Sequence, residues 1–176
     1  MGGIGGIVTI SEAMLPEFDR EMELTRRTLE RVPEDKLAWK PHEKSMSMGR
    51  LAQHLSEIPG WVELTINRES LDIAPPGGPP YQPPRVTSVR DVLAAFDKGV
   101  ASAREAMAGA ADDHLLKPWS MLVGGEVKWT LPRATILRAY ILNHLIHHRA
   151  QLGVYLRLND VPVPATYGPS ADEAMM

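Results

Sequence analysis

Between Pro75 and Pro84, six of ten residues are proline and two of the others are glycine. Proline has no backbone N–H and a fixed φ, so such a stretch can be neither helix interior nor central strand. Regular structure must therefore be built on either side of it. The stretch itself reads as a stiff, extended crossover of polyproline character, long enough to run the length of a bundle. That reading outweighs a ligand for a proline-binding module.

The flanks are helical in period. Ser11, Met14, Leu15, Phe18, Met22, Thr25 and Leu29 recur at steps of three and four. They predict a helix from about Ser11, with Ser11 as cap and Glu12 in the first turn, ended by Pro33. Met14, Met22 and Met107 read as core filler. Trp39 anchors the irregular connection that follows. A second helix is expected from Ser45 or Ser47 to about Arg68, loosened or kinked at Pro59-Gly60. A third, over residues 88–110, carries the stripe Val89, Val92, Leu93, Phe96, Val100, Ala103 and Met107. Trp119 to Val123 and Glu126 to Thr130 flank Gly124-Gly125, which signals a small hairpin or an irregular loop. The fourth helix should start with Thr130 as cap, Leu131 first and Pro132 in the opening turn, and run to about Leu158. The expected fold is all-α: a four-helix bundle with a long crossover. Residues 1–10 form a glycine-rich leader and residues 11–176 one domain.

Composition narrows the function. Lys and Arg total 19 against 22 Asp and Glu, giving a formal net charge of −3 in 176 residues. That balance argues against binding nucleic acid through phosphate neutralisation. No uninterrupted apolar run approaches the roughly 18–20 residues of a membrane span, and the leader lacks a basic n-region. A cytoplasmic protein is expected. The opening glycines are no phosphate loop, because no Lys-Ser/Thr follows them. With no cysteine, disulfides, thiolate nucleophiles and Cys-based zinc sites are all excluded. Six histidines remain, and any metal must be held by imidazole, with or without carboxylate.

On a straight helical wheel His54 lies mid-stripe between Leu51, Ile58, Trp61 and Thr65. In the fourth helix, with Leu137 at zero, His144 and His148 fall at about −20° and +20°, in line with Ile141, Leu152 and Tyr155. His147 flanks that stripe, and Arg149 lies at about +120°, suited to a structural salt bridge or a ligand carboxylate. Two imidazoles at i and i+4 can both reach one ion. Leu145 stands where a zincin needs its general-base Glu, so the chain is not a zincin. Two readings stay open: a three-His metal site from His54, His144 and His148, or three separately hydrogen-bonded core histidines. Glu57 is a weaker candidate for orienting a ligand or acting as a base, and Trp61 reads as core or pocket wall. His42 and His114 lie in connections and are expected to face solvent.

The segments Leu-Ala-Gln-His54-Leu-Ser-Glu, Asn-His144-Leu-Ile-His-His148-Arg-Ala-Gln and the closing Val-Pro-Val-Pro resemble the DinB/YfiT-like superfamily. The resemblance runs from about Ser11 to Pro164. It departs from the family at Ala150, where glycine is common, and alanine only strengthens the helix there. What it implies is a four-helix bundle, often a homodimer, with a divalent metal on His54, His144 and His148. Zinc or nickel is expected first, and iron and copper also suit imidazole. Three neutral ligands leave an open position and the ion's full charge, which would acidify a bound water or accept a thiolate. The family's characterised branches are metal-dependent transferases or isomerases that use low-molecular-weight thiols. The resemblance thus points to a thiol-dependent transferase or a metal-water hydrolase. The alternatives are a non-catalytic dimeric bundle with structural histidines or metal, and a small-molecule-binding stress protein.

Overall fold

The computed structural model describes residues 8–78 and 87–174. Most of the expected leader and the later half of the proline-rich crossover lie outside the described residues.

Helix α1 (Ile10–Leu29) opens on a capping box. Thr9 Oγ1 accepts the Glu12 N–H at 3.2 Å, and the Glu12 carboxylate accepts the Thr9 N–H at 2.8 Å. The cap is thus Thr9 rather than Ser11, which is buried within the helix and donates to the Ala110 carbonyl at 3.1 Å. A short 3₁₀ turn (Glu34–Lys36) leads to α2 (Met48–Glu57), capped by Ser47. The chain then breaks at Pro59, as its missing N–H requires, and resumes as α3 (Gly60–Asn67). Strand β1 (Ser70–Asp72) follows. Beyond the crossover come α4 (Val89–Ala108), capped by Ser88, and the single turn α5 (Asp112–Leu115).

The hairpin signal is realised. Strands β2 (Pro118–Val123) and β3 (Glu126–Pro132) are antiparallel, and Gly124 and Gly125 turn between them at φ +65° and +81°. Positive φ at both turn positions is what a two-residue hairpin demands and what glycine supplies. An unexpected third strand completes the sheet: β1 pairs in parallel with β2, in the order β1-β2-β3. Asp72 fastens its end, its carboxylate accepting the N–H groups of Ala74, Gly124 and Gly125.

The last helix starts later than expected. Thr130, Leu131 and Pro132 are strand, paired with Ser120, Trp119 and Pro118. Cross-strand pairing, with the Ser120 and Thr130 hydroxyls 2.7 Å apart, overrides the cap that Thr130 offers locally. The helix then runs as α6 (Arg133–Thr135), a π turn (Ile136–Leu142) and α7 (Asn143–Arg157). In the π turn the Asn143 N–H donates to the Arg138 carbonyl, five residues back.

The helices enclose one core that includes Phe18, Leu51, Leu55, Phe96, Leu145 and Leu152. The fold is therefore mostly helical with a three-stranded sheet, where an all-α chain was expected. The helix count rises above four because Pro59 and the π turn break two of the expected helices. Arg133 is completely buried beneath the sheet. Its guanidinium donates to the carbonyls of Thr65, Arg68 and Pro118 at 2.9–3.0 Å, and to the Glu69 carboxylate at 3.1 Å. These bonds lock the end of α3, the start of β2 and the start of the last helix to one another. Among the described residues no helix is long and apolar enough to cross a membrane.

Candidate metal centre

A π turn holds one residue more than an α turn, so every later residue is set back by about 100° on the wheel. Leu145, Arg149 and Leu156 thereby take the inward positions that a straight wheel assigns to His144, His148 and Tyr155, and all three are buried. His144 and His148 move to the flank of the stripe, half-buried, where α7 faces α2. His54 stands on the facing surface of α2, also half-buried.

The three rings converge. His54 Nε2 lies 2.9 Å from His144 Nε2. The ring centroids of His148 are 4.6 Å from both His54 and His144. One ring nitrogen from each of the three lies within 4.8 Å of the others, so together they could hold a metal ion. Bonds of roughly 2.0–2.1 Å to a tetrahedral ion place ligand nitrogens roughly 3.3 Å apart, a spacing these contacts bracket.

Burial favours the neutral form of two of the three imidazoles, His144 and His148, as ligands must be. Burial, followed by the neighbouring His148, His54 and His147, pushes His144 down to about 4. His148 is also lowered, chiefly by burial, although its hydrogen bond to Gln151 opposes this. That bond, from His148 Nδ1 to Gln151 Oε1 at 2.7 Å, places the proton on Nδ1 and leaves Nε2 with its lone pair. The amide group of Gln151 in turn donates to His147 Nε2 at 3.0 Å. On the other side His54 Nδ1, buried without a hydrogen bond, lies 3.7 Å from a Glu57 oxygen. Arg50 and Gln53 hold Glu57 at 3.3 and 3.0 Å. Burial works to raise the Glu57 carboxyl, but His54 and Arg50 together bring it below its ordinary value. The donor set thus fits a metal: three clustered imidazoles, one fixed in tautomer by an amide and one beside an ionised carboxylate.

His54 and His144 also line a cavity of about 810 Å³. Its walls come from α3, the sheet and the π turn, and include Trp61, Leu71, Met121, Trp129 and Tyr140. Trp61 meets both histidines edge-on, its ring centroid 5.6 Å from His54 and 5.3 Å from His144. It is a wall of the cavity more than a core residue.

The remaining candidates are placed elsewhere. Arg149 is buried, 2.7 Å from Glu21, with Tyr167 donating to that carboxylate at 2.8 Å. It is a structural ion pair that lies outside the cavity beside the histidines. His42 is exposed as expected, whereas His114 is half-buried, its Nε2 2.7 Å from the Ile66 carbonyl. Leaving α3 without a further turn exposes that carbonyl to a side-chain donor. Gln151 and Arg50 were not singled out from sequence. Gln151 could have been, since i+3 from His148 and i+4 from His147 makes it a neighbour of both.

The profile of the DinB superfamily matches residues 17–152. The uncharacterised protein YrdA of Bacillus subtilis strain 168 is 24% identical over 159 residues, covering 90% of this chain and 89% of YrdA. A DinB-like protein from Bacillus cereus ATCC 10987, known from its crystal structure, superposes with a TM-score of 0.66 at 23% identity, covering 89% of this chain and 97% of that one. The crystal structure of YjoA, a DinB-like protein from Bacillus subtilis, gives 0.66 at 16% identity, covering 93% and 99%. Fold, three-His cluster and family profile agree, and the chain belongs to the DinB superfamily.

Proposed function

We propose that this protein is a metal-dependent enzyme in which His54, His144 and His148 hold one divalent cation and the adjoining cavity takes a small-molecule substrate. One observation carries the reading: three imidazoles cluster, and two of them form part of the wall of a cavity large enough for an organic ligand. A structural site would be closed by a fourth protein ligand, and among the described residues the cluster contains only the three histidines.

When bound, the cation supplies Lewis acidity at an open position, which serves either transfer to a low-molecular-weight thiol or hydrolysis. The protein's own residues do the rest. Gln151 fixes the proton of His148 on Nδ1, so that its Nε2 faces the cluster as a base. Glu57, ionised against Arg50, lines the same cavity and is placed to take the proton of an incoming thiol or water. Zinc or nickel heads the choice of metal, with iron and copper next.

Metal content separates this reading from a non-catalytic bundle with separately packed histidines. Purified wild type should hold close to one equivalent of metal after dialysis, His42→Ala the same, and His144→Ala almost none. Equal metal in wild type and His144→Ala would end the proposal. A cytoplasmic homodimer belongs to the same reading. The exposed Val154 and Leu158, one turn apart at the end of the last helix, offer two copies an apolar contact, and light scattering of the purified chain checks it.

A further inference from the structure

The cavity beside the histidines has a chemistry of its own. Its wall is largely aromatic and aliphatic. Trp61 comes from α3, Leu71 and Met121 from the sheet, Trp129 from β3 and Tyr140 from the π turn. Trp129 and Tyr140 stack with centroids 4.7 Å apart and planes 22° from parallel, which ties the sheet to the helix at that wall. The volume of about 810 Å³ exceeds what one or two waters fill and suits an organic molecule.

The charged groups in this wall are already spoken for. Arg50 is paired with Glu57 at 3.3 Å. Asp72 accepts three backbone N–H groups. Among the described residues, the wall away from the histidines therefore presents no uncommitted cation to a phosphate, sulfonate or polycarboxylate. Nor does it present an uncommitted carboxylate to an ammonium group. Laying such a group against the aromatic wall would cost desolvation that no partner there offsets.

We infer that this cavity selects a neutral, ring-bearing apolar substrate, whose ring lies against Trp61, Trp129 and Tyr140 with one polar group at the His54–His144 end. The inference rests on the site proposed above but concerns the apolar half of it.

The test is calorimetric titration of the full chain, metal-loaded and chelated, with naphthol, naphthalene disulfonate and naphthylmethyl trimethylammonium. Naphthol should bind at least about tenfold more tightly than either charged analogue, with chelation leaving that order intact. Tyr140→Ala should weaken naphthol about five- to tenfold, the loss of one aromatic wall. Met121→Trp should abolish its binding by filling the cavity, with metal content unchanged in both variants. Equal or tighter binding of the disulfonate or the ammonium compound would overturn the inference, as would naphthol affinity untouched by both substitutions. Metal content read on the same samples keeps the two ideas apart. Metal-loaded protein that ignores naphthol sinks only this inference, and protein that binds naphthol but takes up no added metal sinks only the metal.

Discussion

His144 has the environment most at odds with its side chain. Its imidazole is lowered to about 4 in the folded chain, against roughly 6.5 when unfolded. Between those values the unfolded chain binds more protons, so stability falls as pH drops through the window. The chelated protein should lose urea resistance from about pH 6.5 to about pH 4, and His144→Gln should flatten that slope by removing the group responsible. Parallel pH profiles for the two proteins would show that His144 is not the source. Gln151 acts one bond further out. Its Oε1 accepts from His148 Nδ1 at 2.7 Å, and such partners orient a ligand and set its tautomer. Gln151→Ala should lower metal affinity roughly 10–100-fold while leaving the far-ultraviolet circular dichroism unchanged. Gln151→Glu, which keeps the acceptor, should recover most of the loss.

Helices and strands show why part of this was legible and part was not. His54, His144 and His148 were readable because imidazoles at i and i+4, opposite a third on another helix, are conspicuous in a chain without cysteine. Their exact facing was not, because a straight wheel from Leu137 carries no sign of the π turn, and one inserted residue exchanges His144 for Leu145 at the core. The hairpin announced itself through Gly124-Gly125. Strand β1 did not: three residues, Ser70 to Asp72, hold their place by pairing with Ser120 to Leu122, some fifty positions away, and no local period can show that. Arg133 was equally silent, since its meaning lies in carbonyls drawn from α3 and β2. Removing it strands several buried acceptors at once. Arg133→Met should cost about 3–5 kcal/mol in chemical denaturation. Arg133→Lys should recover less than half, because an ammonium cannot span the fork of carbonyls that the guanidinium reaches. Gly49 is the opposite case, a helical glycine kept by a close neighbour. A Cβ there would meet the Leu37 carbonyl oxygen at 2.9 Å and Leu37 Cβ at 3.2 Å. Alanine normally strengthens a helix, but here the clash wins, and Gly49→Ala should destabilise by about 1–3 kcal/mol.

Over the whole molecule, the two histidine-bearing helices belong to opposite halves of the chain. His54 and His144 are 90 residues apart in sequence yet 2.9 Å apart at Nε2. Glu21, Arg149 and Tyr167 make a second long tie, joining α1, α7 and the C-terminal segment. Glu173 adds a third through Arg27 at 2.6 Å and Arg31 at 2.6 Å. The second and third ties are ion pairs complete within the chain; the first is a single contact between two imidazole nitrogens, which an ion held between them would strengthen. A cation bound there would act as a cross-link present only in the folded state, since the unfolded chain scatters its ligands. At about 100 times the dissociation constant, linkage gives about 2.7 kcal/mol. For a chain of this length that corresponds to a rise in Tm of roughly 5–10 °C. Chelation should remove the rise and re-addition of zinc or nickel should restore it. His42→Ala, altering an exposed imidazole, should keep the full shift. His144→Ala should show none, because two remaining histidines cannot bridge α2 and α7 with comparable affinity. A His144→Ala protein whose Tm still climbs with added metal would move the stabilising site away from this cluster.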